Sequence, residues 1–229
     1  MATSEAASLE NALQRLIAKY NSEPPTAETL QWILPPVSCH FLEDLAALLP
    51  AGSTAFEFGS GRSTYSLRRG VAGVTSIEDS ADWLSRTEQG EGAVSKRETD
   101  ATEVLPLTRC WNKLRPIESF DLARQPQSLE RLANAALILV DSPPNPAKRE
   151  HALHLALYHA RPGAVIVLDD LEVAATWRFA HRLAAQNASL VRFWLLNVDH
   201  KLGIFLKVRS GQVRSRPTLR EYVGAWLRA

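Results

Sequence analysis

The feature that most constrains the fold of this chain is the regular alternation, from about residue 53 onward, of short apolar runs with helix-length segments. Short apolar runs bounded by turn residues are typical of buried β-strands. Strands that alternate with helices form a parallel sheet with helices on both faces. The predicted strands are residues 54–58, 74–78, 93–98, 135–140, 164–168, 190–196 and 202–208. The predicted helices between them are residues 63–69, 81–87, 147–160 and 174–186.

The last two predicted strands are separated only by a short turn from Asn197 to His200. A parallel pair needs a long crossover, so these two strands should form an antiparallel hairpin. The predicted fold is therefore α/β, a three-layer Rossmann-like sandwich. Its mostly parallel seven-stranded sheet ends in the antiparallel hairpin.

The first 52 residues differ from the rest because they have helical periodicity and no strand pattern. Helices are predicted at residues 8–20, 26–32 and 38–49, each ended by prolines. The sequence thus predicts a helical extension over 1–52 and an α/β domain over 53–229. In that domain, 105–127 is predicted to be a long irregular segment and 217–227 a last helix.

The composition of the chain limits the kinds of molecule that it is expected to bind. The 229 residues carry a net charge of +1, which gives no electrostatic reason to expect nucleic acid or an anionic membrane. A small-molecule substrate is therefore expected. Two isolated cysteines, Cys39 and Cys110, suggest neither a disulfide framework nor a zinc site. The first ten residues do not resemble a signal peptide, and the apolar runs are too short to span a membrane. A cytoplasmic protein is expected, and a homodimer is left open.

A glycine turn, Glu57-Phe-Gly59-Ser60-Gly61, lies between the first strand and the first helix. Glycines allow a tight turn and a close approach to a ligand, and the helix start beyond offers unpaired amides. A nicotinamide fingerprint needs a third small residue, but Thr64 occupies that place. The acidic Glu57 suits a cationic ligand better than a pyrophosphate.

These residues resemble motif I of the class I S-adenosylmethionine (SAM)-dependent methyltransferases, and the final hairpin is also typical of that superfamily. The resemblance covers about residues 53–208. It implies that Glu78, at the end of the second strand, binds the ribose hydroxyls, and that Asp100 after the third strand binds adenine. Without the resemblance, Glu78 could begin a helix and Asp100 could cap one. The expected SAM-binding residues are Glu57, Gly59, Ser60, Gly61, Thr64, Glu78, Asp100 and Ala101.

Three carboxylates follow the fourth and fifth strands: Asp141, Asp169 and Asp170. The carboxyl ends of parallel strands meet at one edge, where ligands bind, so these groups should converge and repel. A hard divalent cation would relieve the repulsion, although Asp170 could instead cap the next helix. The constellation is similar to metal-dependent O-methyltransferases of the catechol and macrolide-sugar types. That resemblance implies Mg²⁺ on all three carboxylates.

The chain departs from the catechol type at the position of the general base. The catechol type has a lysine three residues after the first aspartate, where this chain has Pro144. Lys148 is the candidate base, and Asp141 is the other candidate catalytic residue. The leading interpretation is SAM-dependent O-methylation of a small hydroxylated molecule. The alternatives are metal-free transfer to nitrogen or to a macromolecule, a non-catalytic SAM-binding module and, more distantly, a nicotinamide-dependent oxidoreductase.

Overall fold

The computed structural model describes residues 2–22, 36–89, 95–112, 115–198 and 200–213 of the chain. The helices in these ranges are α1 (Ala2–Ser22), α2 (Pro36–Ala47), α3 (Arg62–Gly70), α4 (Ala81–Gln89), α5 (Pro126–Asn134), α6 (Pro146–His159) and α7 (Ala174–Gln186), with a 3₁₀-helix at Leu122–Arg124. The strands are β1 (Thr54–Phe58), β2 (Gly73–Glu78), β3 (Ala101–Val104), β4 (Thr108–Asn112), β5 (Arg115–Ser119), β6 (Leu137–Val140), β7 (Val165–Leu168), β8 (Val191–Asn197) and β9 (Lys201–Lys207).

Seven strands form one sheet in the order β3-β2-β1-β6-β7-β9-β8. The first five of these run parallel to their neighbours, whereas β9 is antiparallel to both β7 and β8. The predicted α/β class, the mostly parallel seven-stranded sheet and the terminal hairpin are confirmed. The strand order reverses between β1 and β6, and ligands bind at such switch points in open α/β sheets.

The sheet is covered on both faces because its central strands are apolar throughout. Successive side chains of a strand point to opposite faces. In β6, Ile138 and Val140 join a buried cluster with α5, α6 and α7, whereas Leu137 and Leu139 join a cluster with α1, α2 and α3. The chain therefore forms the three layers that the sequence predicted.

Helices α1 and α2 complete one of these layers. Leu13 and Phe41 are fully buried in the same cluster as side chains of the sheet. At the end of α1, Asn21 donates to the carbonyl of Leu195 at 3.0 Å and accepts from the amide of Asn197 at 2.7 Å. The division of the chain at residue 52 remains a prediction, and its two parts share a core. The predicted helices at 26–32 and 217–227 lie outside the described residues.

The third strand was predicted at the wrong place. It lies at Ala101–Val104, not at 93–98. The Asp100 carboxylate accepts hydrogen bonds from the amides of Arg97 at 2.8 Å and Val74 at 2.9 Å. These bonds tie the turn before the strand to the start of β2, so that pairing with β2 begins only at Ala101.

The prediction of an irregular segment at 105–127 is also wrong. Strands β4 and β5 form an antiparallel ribbon, which is followed by the 3₁₀-helix and the start of α5. Pro116 lies in the two-stranded ribbon, opposite Trp111. A proline is tolerated there because each strand of such a ribbon has an unpaired edge. In the part of the chain that the structure describes, no helix is long and apolar enough to span a membrane.

Candidate SAM site and carboxylate cluster

The glycine turn follows β1 at the switch point. Gly59 has a φ of +97°, and its amide donates to the carbonyl of Ile77 at 2.8 Å. A Cβ at this position would lie 2.8 Å from the Cβ of Ser142, in the segment that follows β6. The structure thus requires glycine here for its left-handed backbone and for the close approach of Ser142. The sequence had suggested a different reason for glycine at this position, namely the close approach of a ligand.

Gly61 is different, since it begins α3 with an extended φ of 174°. A Cβ at Gly61 would meet no protein atom within 4 Å. Its amide donates to the Thr64 hydroxyl at 2.9 Å, so Thr64 closes the first turn of the helix. The space beside Gly61 is therefore open for a ligand.

Glu57 lies beneath the turn and is fully buried. Its carboxylate accepts from the hydroxyls of Thr64 at 2.6 Å, Ser76 at 2.5 Å and Ser63 at 3.4 Å. Burial raises the pKa of Glu57 to about 7, although these hydroxyls oppose the rise. The contacts give Glu57 a supporting role, joining β1 to α3 and β2. Direct contact with a ligand stays a prediction.

Glu78 ends β2 beside the turn. One carboxylate oxygen accepts from the amide of Ser60 at 3.0 Å and from its hydroxyl at 3.2 Å. The other accepts from the amides of Asp79 at 3.0 Å and Ser80 at 3.1 Å. Burial, and next the neighbouring Asp79, raise the pKa of Glu78. The structure places Glu78 where the sequence predicted, with its carboxylate bound to the turn.

Two exposed apolar side chains lie near Glu78, and sequence reasoning selected neither of them. The indole N–H of Trp83, in α4, donates to the carbonyl of Ser60 at 2.5 Å, and 40% of the residue is exposed. Val104 pairs with Glu78 in the sheet register and is 45% exposed. Nothing in the sequence distinguishes Trp83 from the other five tryptophans. The position of Val104 follows only once β3 is placed correctly.

The adenine site predicted at Asp100 and Ala101 is wrong because these residues precede β3. They lie at the amino edge of the sheet, whereas the glycine turn lies at the carboxyl edge. Besides its two backbone amides, Asp100 pairs with Arg97 at 2.9 Å and with Arg68 at 3.5 Å. Burial alone would raise the pKa of Asp100, but the hydrogen bonds and the charge of Arg97 lower it. Asp100 is a structural residue.

Asp141, Asp169 and Asp170 converge at the ends of β6 and β7, as the sequence predicted. Burial, and next the charge of Asp169, raise the pKa of the Asp141 carboxyl well above its usual range. Asp170 has a φ of +59°, an uncommon backbone conformation for an aspartate. Its amide donates to the Asp169 carboxylate at 2.8 Å.

Two cationic residues that sequence reasoning missed lie within this cluster. Arg149, in the first turns of α6, donates to the Asp170 carboxylate and to the Asp141 carbonyl, and lies 3.4 Å from the Asp141 carboxylate. His200 Nε2 lies 2.7 Å from Asp169 and 3.5 Å from Asp170, and its Nδ1 lies 3.1 Å from Glu172.

Burial would lower the pKa of His200, but its hydrogen bonds to Asp169, Asp170 and Glu172 raise it to about 12. The bond from His200, with help from Arg149 against the effect of burial, lowers the pKa of Asp170 to about 2. The position of His200 could have been predicted from the sequence. A hairpin antiparallel to β7 brings its turn to the carboxyl edge, beside Asp169.

Lys148 precedes Arg149, but its side chain points elsewhere. Its ammonium lies 3.3 Å from the Glu118 carboxylate on β5. The contact joins α6 to the β4–β5 ribbon. It gives Lys148 a structural partner, and its role as a base stays a prediction.

The arrangement of the carboxylates does not fit Mg²⁺, which demands near-octahedral oxygen ligands. Asp169, Asp170 and His200 each place a potential ligand atom within 4.8 Å of the others. However, Asp170 is bound by Arg149, and both nitrogens of His200 face carboxylates. A divalent cation among them would lie against a guanidinium and an imidazolium.

The fold agrees with solved structures at low sequence identity. The O-methyltransferase from Bacillus cereus in complex with SAH is 19% identical, covers 88% of this chain and 90% of its own, and has a TM-score of 0.52. Cofactor-bound Rv0187 from MTB is 19% identical, covers 88% and 91%, and has a TM-score of 0.56. Precorrin 8w decarboxylase from Methanobacterium thermoautotrophicum is 14% identical, covers 81% and 100%, and has a TM-score of 0.54.

No family model and no curated protein matches the sequence. The chain has a Rossmann-like fold similar to that of the O-methyltransferase from Bacillus cereus. A decarboxylase among the similar structures illustrates that this fold alone does not decide the reaction. The reaction must be argued from the site.

Proposed function

We propose that this protein is a SAM-dependent methyltransferase that methylates an oxygen of a small molecule. The observation that carries the proposal is the open space at Gly61, beside Glu78, at the switch point of the sheet. A similar fold holds SAH in the O-methyltransferase from Bacillus cereus. A cytoplasmic location and a homodimer, both considered from the sequence, remain predictions.

In this proposal, SAM lies along the carboxyl ends of β1 and β2. The backbone of Gly59 to Gly61 would hold its methionine part, and the carboxylate of Glu78 would accept hydrogen bonds from its ribose hydroxyls. Both oxygens of Glu78 already accept two hydrogen bonds each, so the ribose must displace the Ser60 hydroxyl or share an oxygen with it. Trp83 and Val104 would offer exposed apolar surface to adenine near Glu78, in place of the site predicted at Asp100.

The acceptor lies at the ends of β6 and β7. Its hydroxyl proton passes to the carboxylate of Asp141, and its oxygen attacks the methyl carbon of SAM. The carbon–sulfur bond breaks as the new oxygen–carbon bond forms, and its electron pair stays on sulfur. The side chain of Asp141 is 40% exposed, so its carboxylate is accessible to an acceptor hydroxyl. Its backbone amide lies 3.1 Å from the carbonyl of Phe58, which places it next to the glycine turn. No metal takes part in this sequence of steps.

The proposal is tested with radiolabelled SAM and a panel of phenols, catechols and sugars. We expect base-stable methyl transfer to at least one hydroxyl compound. Asp141→Asn should lower kcat by about 100-fold or more, the usual contribution of a general base, with SAH affinity unchanged. Binding of SAH without transfer to any compound would favour the non-catalytic module. Transfer only to amines or to a macromolecule would favour the other alternative.

A further inference from the structure

The carboxylates at the ends of β6 and β7 have an unusual cationic partner in Arg149. Its side chain is 3% exposed and reaches from α6 to both strand ends. One terminal nitrogen binds the Asp170 carboxylate, and the other binds the Asp141 carbonyl. Its Nε is buried without a hydrogen-bond partner, a cost that folding must offset elsewhere. Arg149 therefore binds both strand ends, although its Nε is left without a hydrogen bond.

His200 approaches the same carboxylates from the other side, on the turn between β8 and β9. A neutral imidazole has one N–H donor and one acceptor nitrogen. Here each ring nitrogen faces a carboxylate, at 2.7 Å for Asp169 and 3.1 Å for Glu172. Carboxylates are acceptors, so both nitrogens must donate and the ring is a cation. Arg149 and His200 thus bring two positive charges, the charge of one divalent ion.

We propose that Arg149 and His200 take the place of a divalent cation in this cluster, so that the site holds its carboxylates in position without binding a metal. Asp170, in its left-handed conformation, is paired with Arg149 through one carboxylate oxygen and with His200 through the other. Arg149 and His200 are positioning residues for the acceptor side. The inference depends on this geometry and holds whether or not the chain transfers methyl groups.

A metal ion and the two side chains compete for the same oxygens. Divalent cations bind carboxylates at about 2.0–2.6 Å, and Arg149 already contacts one of those carboxylates and the carbonyl beside another. Removal of Arg149 should leave the carboxylates undercompensated and open to a cation. The expected signature is therefore a gain of metal binding, which loss of an ordinary structural contact would not produce.

The experiment titrates Mn²⁺ alone into the full chain and follows free Mn²⁺ by electron paramagnetic resonance. Wild type should show no stoichiometric binding at submillimolar metal. Arg149→Met should bind about one Mn²⁺ per chain at least tenfold more tightly than wild type, and Asp169→Asn in that background should abolish the gain. Lys148→Met is the matched control, because it removes the same charge from the same helix turn without touching the cluster. It should behave as wild type.

Stoichiometric Mn²⁺ binding by wild type that Asp169→Asn abolishes would overturn the inference. A folded Arg149→Met variant that binds Mn²⁺ no better than wild type would also overturn it. If Arg149→Met does not fold, His200→Gln carries the same expectation. Because no cofactor is present, failure here is distinguishable from failure of the proposed methyl transfer, which is read from SAH binding and label transfer.

Discussion

Two groups of carboxylates lie at the same edge of the sheet and are stabilised differently. The hydrogen bonds to Glu57 and Glu78, under the glycine turn, come from hydroxyls and backbone amides, and the pKa of both is raised. Asp170, at the end of β7, is paired with Arg149 and His200, and its pKa falls to about 2. The first group thus has only neutral donors, whereas the second group contains the two cations that pair with Asp170.

The largest expected effect on stability comes from removing the arginine that pairs with Asp170 in the second group. Arg149→Met should lower the free energy of unfolding by about 3 kcal/mol. That is the low end for a broken buried ion pair, because Asp170 is partly exposed. Urea denaturation measures the loss. Lys148→Met should cost less than about 1 kcal/mol. Equal costs for the two variants would show that Arg149 is no more than a peripheral charge.

In the first group, the raised pKa of Glu57 should affect how the free energy of unfolding depends on pH. The pKa of Glu57 is about 7 when folded and about 4.5 when unfolded. Between these values the folded state binds the extra proton, so the free energy of unfolding falls as pH rises from 5 to about 7. The loss should be on the order of 2–3 kcal/mol. Glu57→Gln should remove this part of the slope and leave the contributions of Glu78, Asp141 and Asp170. Parallel stability curves for wild type and variant would contradict the buried position of Glu57.

Glu78 and Asp100 are expected to have different roles. Glu78 should bind the ligand, and Asp100 should stabilise the fold. Glu78→Ala should weaken SAH binding by about 1.5–3 kcal/mol, the range for hydrogen bonds to a charged group. Asp100→Asn should lower the Tm and leave SAH affinity unchanged, because it contacts Arg97 and Arg68 at the opposite edge. Calorimetry and thermal denaturation measure both. A loss of SAH affinity in Asp100→Asn would restore the adenine site that the sequence predicted.

The smallest effect concerns Lys148. Its partner Glu118 is 69% exposed, so the ion pair contributes little. Lys148→Met should keep kcat within about twofold of wild type if the Glu118 pair is its only role. A decrease of about 100-fold, with the Tm unchanged, would instead identify Lys148 as the general base.

The sequence predicted the parts of the fold whose apolar pattern is strong. β7 is a continuous apolar run, and β1 contains two phenylalanines and an alanine. The ends of both strands were placed to within a residue, with the glycine turn beside β1 and Asp169 beside β7. β3 was misplaced because its four residues are only half-buried and its start depends on the distant contact between Asp100 and Val74.

The carboxylate cluster was also predicted, but its partners were not. Arg149 carries no local signal, since a charged residue at a helix start usually faces solvent. Its burial depends on how α6 crosses the ends of β6 and β7. His200 could have been found, because the predicted hairpin fixes its turn at the carboxyl edge. The charge argument for Mg²⁺ used the acidic residues alone and omitted these two cations.

The most direct test of the account is calorimetric titration of SAH into wild type and Gly61→Val. A side chain at Gly61 meets no protein atom within 4 Å, so the variant should fold with an unchanged Tm. We expect wild type to bind SAH and Gly61→Val to lose at least about tenfold in affinity, or about 1.4 kcal/mol. Equal binding by both proteins, or no binding by wild type, would contradict a SAM site at the glycine turn.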